Sequence, residues 1–215
     1  VTAPRIGVFT TLAYESLPPE RLALFRDYLL YSLKRQVYGG FDLIIVTRSD
    51  RNRKVLGKGS EASDAAIAAL DYGTVPHRLV AADSVPFADY PIQIRVDSDD
   101  ILLPTFTLKC LSLYHEHPEP EFIASFNPYE YDLTTGTFRG GVREWSARKP
   151  SMFAVLFQKH TIARYIRALG QHCHLAEQVP LSVFIQEGYC VWIRHPGQFS
   201  DGFHVKAGYD MEVQL

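Results

Sequence analysis

Cysteine is scarce in this chain. Cys110, Cys173 and Cys190 are the full set in 215 residues. An odd, scattered trio argues against a disulfide framework and favours a reducing compartment. No apolar run approaches the length needed to cross a bilayer. The expectation is therefore a cytoplasmic protein without a transmembrane segment, with peripheral membrane contact left open. A basic surplus is missing too. There are 22 Lys and Arg against 24 Asp and Glu, a formal net charge of −2, and nothing in that balance points to a nucleic-acid partner. Internal repeats, low-complexity stretches, linker-like boundaries and a basic-then-apolar leader are also lacking. What is present is 47% hydrophobic and 21% charged, an ordinary globular composition. The reading is one domain over 1–215, with halves at 1–103 and 104–215.

The first half alternates two periods. RIGVFTTL (Arg5–Leu12) reads as a buried strand. PERLALFRDYLLYSLKRQ follows as a helix, with Leu22, Phe25, Leu29 and Leu33 on one face, Pro19 in the first turn and Gly39-Gly40 as the stop. FDLIIVTR (Phe41–Arg48) is a second strand, and SEASDAAIAALDYG a helix capped by Ser60 or Ser63 and closed near Gly73. VPHRLVAA and IQIRVD are further strands, and PTFTLKCLSLYHEHP a further helix. Strand, helix, strand is the pattern of a parallel α/β sheet. In the second half, FIASF is a strand, YEYDLTTGTFRG a hairpin turning at Thr135-Gly136, and SMFAVLFQ a strand. HTIARYIRALG and AEQVPLSVFIQEG read as helices, and YCVWIRH (Tyr189–His195) as a late strand.

One stretch stands out. PIQIRVDSDDILLP runs from an apolar strand into Asp97, Asp99 and Asp100. Carboxylates that close repel, so each requires solvent or a cation. The cation can be a metal ion or a side chain. Asp97-x-Asp99 at the C-terminal end of a strand is where open α/β sheets bind ligands. Hard cations such as Mg²⁺ and Mn²⁺ prefer oxygen ligands shared with phosphates. Arg95 could pair with Asp97 or reach a phosphate. The competing reading is a solvated acidic turn before the helix at Pro104.

Rival motifs fit less well. An EF-hand loop counted from Asp97 would have Leu102 and Leu108 where Gly and Glu belong. A haloacid-dehalogenase-like phosphatase carries D-x-D on its first strand, whereas here it sits on the fourth. GKGS (Gly57–Ser60) lacks the earlier glycine of a phosphate loop and lies beside Arg51, Arg53 and Lys54.

With these residues in hand, the chain resembles a GT-A glycosyltransferase of the family 2 type, with a particular likeness to the rhamnosyltransferase group. IGVFTTL, the run LLYSLKRQVYGGFDLIIVT with Ser32, Leu33 and Gln36, the segment RVDSDDILLP, Glu177, and VWIRHPGQFSDGF with His195, Gly197 and Ser200 carry the likeness. It spans Arg5 to Phe203.

The resemblance implies a mixed, mainly parallel α/β sheet flanked by helices. It also implies transfer of a sugar from a nucleotide-sugar donor to a glycan or other hydroxyl acceptor. On it, Thr10, Thr11, Arg95 and Asp97 bind the donor. Asp97, Asp99, Asp100 and His195 hold Mn²⁺ or Mg²⁺, Glu177 is the base and Trp145 meets the acceptor. A nucleotidyltransferase, or a non-catalytic nucleotide- or glycan-binding module of the same fold, are the alternatives.

Three departures from the family pattern matter. Thr47 and Arg48 stand where an aspartate often helps to read the base. DSVPFADYPIQI is short where many members have a longer donor-binding helix. The acidic pair reads Glu177-Gln178, so Glu177 is the base, or the base lies elsewhere, or configuration is retained. A plain helix-terminal charge is the other reading of Glu177.

Among the remaining histidines, His204 is a second late candidate. His172 and His174, in HCH, cannot easily face one ion together.

Overall fold

The computed structural model describes residues 3–14, 16–48, 59–81, 84–86, 89–140, 154–158 and 182–196. Strand β1 (Ile6–Thr11) leads into helix α1 (Pro19–Leu24), which continues through a π-helical stretch (Phe25–Leu30) into α2 (Tyr31–Leu33). Then come β2 (Phe41–Arg48), α3 (Glu61–Ala68), β3 (His77–Ala81), β4 (Ile92–Arg95), β5 (Ile101–Leu102), α4 (Phe106–Glu116), β6 (Glu121–Phe126), β7 (Tyr129–Asp132), β8 (Thr137–Arg139), β9 (Ala154–Gln158), β10 (Ser182–Ile185) and β11 (Cys190–Arg194).

Seven strands form one sheet in the order β10-β6-β9-β4-β1-β2-β3. The pairs β1–β2, β1–β4, β2–β3 and β10–β6 are parallel, and among the described strands of this sheet only β9 runs against its neighbours, β4 and β6. This is the expected mixed, mainly parallel α/β sheet. The chain moves outward from β1 to β3 and returns to β4 on the other side of β1. The strand order therefore reverses between β1 and β4, and a crevice opens beyond their C-terminal ends at such a switch point.

Both faces of the central strands are covered, which is why they read as unbroken apolar runs. Ile6, Val8, Leu43, Ile45, Ile92 and Ile94 face a large core that includes Phe25, Leu29 and Leu33 of the long helix. Phe9, Ile44 and Tyr90 form a smaller cluster, and Phe9 meets Tyr90 edge-on at 5.8 Å. Leu22 is only partly buried and packs on the margin of the large core. Phe122 and Phe157 stack at 4.0 Å where β6 meets β9. Ser60 caps α3, its Oγ accepting from the Ser63 N–H at 3.1 Å, and Gly73 adopts φ 57°.

A four-stranded sheet, β5-β11-β7-β8, packs the late strand against the aspartate segment. β11 is antiparallel to β5 and parallel to β7.

Three expectations are corrected. Ser182–Ile185 is a strand, not part of a helix. It pairs in parallel with β6, from Ser182 opposite Ile123 to Ile185 opposite Phe126. A four-residue apolar run has no periodicity that separates strand from buried helix, and an open sheet edge decided the matter. The first long helix ends at Leu33, before Gly39-Gly40. Strand β4 ends at Arg95, so the aspartates all lie in the turn beyond it. The expected helix HTIARYIRALG lies outside the described residues.

Candidate functional site

The site grows from the segment between β4 and α4. Three connections fix it. Gln36, just past α2, donates from Nε2 to the carbonyls of Leu102 at 3.1 Å and Leu103 at 2.9 Å. Its Oε1 accepts from the Thr107 N–H and hydroxyl, both at 3.1 Å. Thr105 offers α4 no side-chain cap, so Gln36 satisfies an orphan N–H in the first turn from outside the helix. Ser32 Oγ accepts from the Leu102 N–H at 3.2 Å and donates to the Leu29 carbonyl at 2.8 Å. Third, β11 runs alongside: Cys190 faces Leu102, Val191 faces Ile101, and the Ile193 N–H donates to Asp100 Oδ1 at 3.0 Å. That last bond carries the pairing past the end of β5 and delivers His195 to Asp99.

His195 Nε2 lies 2.7 Å from Asp99 Oδ2, and its Nδ1 lies 2.9 Å from the Pro196 carbonyl. Nε2 also lies 3.3 Å from Arg21 Nη1, so the ring sits between a carboxylate, a guanidinium and a carbonyl. The bond to Asp99 holds the His195 pKa above its ordinary value, against the opposing effect of burial. Arg21 Nη1 reaches the same Asp99 oxygen at 3.0 Å. Arg95 pairs with Asp97 at 2.6 Å. Burial pushes the Asp100 carboxyl well up, with Asp99 and Asp97 adding to the shift. Burial also raises the Tyr14 phenol, with Arg21 opposing and Asp99 and Asp97 reinforcing. The negative charge at the end of β4 is thus met by Arg95, Arg21 and His195.

Asp97, Asp99, Asp100, Arg95 and His195 are brought together. Thr10 lies near the C-terminal end of β1, 1% exposed, and its Oγ1 is buried without a hydrogen-bond partner among the described residues. Thr11 is the half-buried last residue of that strand. Glu177, Trp145, His172, His174 and His204 lie outside the described residues. The sequence reading missed Arg21 and Tyr14. One signal for Arg21 was available: it sits three residues into a helix beginning at Pro19, and a cation is disfavoured near a helix N-terminus, so it needs another reason to be there.

The donor chemistry suits a hard divalent cation: three carboxylates supply oxygens, and Asp100 Oδ2 is buried without a hydrogen-bond partner among the described residues. Among the described residues, no group of three or more His, Cys, Asp or Glu is arranged so that it could hold one as the side chains stand. Beside the cluster, an open cleft of about 470 Å³ is lined by Pro18, Arg21, Leu24, Tyr28, His195 and Pro196. No described helix is long and apolar enough to cross a membrane.

No family model and no curated protein matches this chain. In three dimensions it is similar to residues 1–349 of S. aureus TarS in complex with UDP-GlcNAc, with 12% identity and a TM-score of 0.49, over 94% of this chain and 62% of that one. The same S. aureus fragment in complex with UDP matches at 12% identity and a TM-score of 0.45, over 89% of this chain and 61% of that one. The chain spans less than two thirds of the length of these structures.

Proposed function

We propose that this chain is a nucleotide-sugar glycosyltransferase of GT-A architecture. One observation carries the reading: an aspartate-rich turn stands at the reversal of strand order, with His195 delivered to it from the far end of the chain. Here a donor diphosphate would lie beyond β1 and β4, near Thr10, Thr11, Arg95 and Asp97. His195, held against Asp99 and lining the cleft, would stand beside the diphosphate. Mn²⁺ or Mg²⁺ held by Asp97, Asp99 and Asp100 would supply Lewis-acid stabilisation of the leaving diphosphate. Residues 1–103 serve the donor and 104–215 the hydroxyl acceptor. Glu177 as base, Trp145 as acceptor contact, and a rhamnosyl or related sugar as the group transferred rest on the family resemblance. A cytoplasmic location belongs to the same reading.

The test is incubation with a panel of nucleotide sugars and Mn²⁺. Slow release of nucleoside diphosphate, lost in Asp99→Asn, is the expected result. Release of nucleoside monophosphate with sugar phosphate would mark a nucleotidyltransferase instead. Binding with no cleavage would mark a binding module.

A further inference from the structure

Asp99 Oδ2 serves two partners at once, Arg21 Nη1 at 3.0 Å and His195 Nε2 at 2.7 Å. The Arg21 side chain is 14% exposed and that of Asp99 9%. Water therefore screens the pair poorly, and charges so placed interact strongly. The Arg21 and His195 nitrogens are themselves 3.3 Å apart, and both reach the one Asp99 oxygen. A divalent ion held through Asp99 would bring a further positive centre to a carboxylate already paired with Arg21. Next to it, Asp100 Oδ2 is fully buried with no hydrogen-bond partner among the described residues. It is a carboxylate oxygen for which neither arginine nor histidine supplies a hydrogen.

We propose that Arg21 is the built-in counter-ion of the aspartate turn and competes with a divalent cation for Asp99. With the guanidinium in place, the carboxylates are balanced and do not gather around a common point. When Arg21 leaves Asp99, the cleft it already lines offers it room, and Asp99 and the orphaned Asp100 oxygen become available together. Arg21 is thus a positioning residue that sets how tightly the cation is held. The inference deepens the glycosyltransferase reading and rests on it for the role of the aspartates.

The experiment is titration of the full chain with Mn²⁺ alone, without nucleotide, followed by calorimetry and by the electron paramagnetic resonance signal of free Mn²⁺. Arg21→Gln is expected to bind Mn²⁺ at least about tenfold more tightly than the parent, equivalent to about 1.4 kcal/mol of repulsion removed. Adding Asp99→Asn to that variant should abolish the gain. Arg21→Lys, with a compact charge that holds a carboxylate less tightly than the planar fork does, should show a smaller gain. If Arg21→Gln fails to fold, Arg21→Lys carries the test alone. Unchanged or weaker Mn²⁺ binding in the folded variant overturns the proposal. The outcome is independent of the donor assay: failure to cleave any nucleotide sugar would sink the transferase reading while leaving the Mn²⁺ result to stand or fall by itself.

Discussion

His195 Nε2 and Asp99 Oδ2 are 2.7 Å apart, although 96 positions separate them in the chain. Strand β11 makes this contact possible, because its pairing with β5 continues through the Ile193–Asp100 bond. His195 is therefore both a clasp and part of the cleft lining.

Replacing His195 by Ala removes one of the two partners of Asp99 Oδ2 and leaves Arg21 in place. The expected cost is about 1–3 kcal/mol in urea unfolding, the range for loss of one hydrogen bond to a charged group. Nucleoside diphosphate affinity should fall more than it does in His204→Ala. The reverse order would move the ligand to the tail.

Gln36 ties together the end of the first long helix, β5 and the first turn of α4. Gln36→Ala leaves the Thr107 N–H and two carbonyls to find other partners. We expect a loss of about 2–3 kcal/mol, near the upper end for an unsatisfied buried group, read as a lower urea midpoint. Because the aspartate turn hangs on this anchor, diphosphate affinity should fall as well. A variant as stable as the parent would show that solvent replaces the side chain.

Gly136 turns the hairpin between β7 and β8 at φ 68°. A Cβ built there meets nothing within 4 Å, so sterics with neighbours play no part. Gly136→Ala should cost about 1–2 kcal/mol from the left-handed backbone alone, and Gly136→Asn less, since Asn tolerates that region. Equal losses in the two variants would mean that something other than φ is responsible.

The hairpin, the helix cap at Ser60 and the strand Phe41–Arg48 were legible because each is local chemistry: a glycine in a turn, a hydroxyl at a helix start, an apolar run between turn residues. The aspartate turn was legible because buried-strand character and clustered charge conflict, and that conflict needs a cation. The sequence left open which cation. Arg21 is 78 positions from Asp99, and no local pattern links them. Ser182–Ile185 was misread for a related reason. Its state depends on a vacant edge at β6, more than fifty positions earlier. Ser32 and Gln36 entered only as features of a resemblance, yet they hold the turn in place through hydrogen bonds to Leu102 and Leu103.

Asp100 is the residue in which a structural role and the proposed cation-binding role can be tested apart. It is fully buried. Its Oδ1 takes the Ile193 N–H at 3.0 Å, and its Oδ2 has no hydrogen-bond partner among the described residues. If the metal-free fold depends on the first oxygen alone, Asp100→Asn should melt close to the parent, since an amide oxygen accepts the same bond and the charge is removed from a site where burial disfavours it. Asp100→Ala should unfold more easily by about 1–3 kcal/mol, because the Ile193 N–H is then left unpaired. Adding Mn²⁺ and a nucleoside diphosphate changes the comparison. The parent should gain stability by mass action, and Asp100→Asn should gain far less, because an amide is a poorer ligand for a hard cation than a carboxylate. Thermal melts of the three proteins, with and without ligand, give both answers. An Asn variant that melts as low as Ala without ligand would remove the Ile193 bond as the structural role. An Asn variant that gains as much as the parent with ligand would remove Asp100 from the cation site.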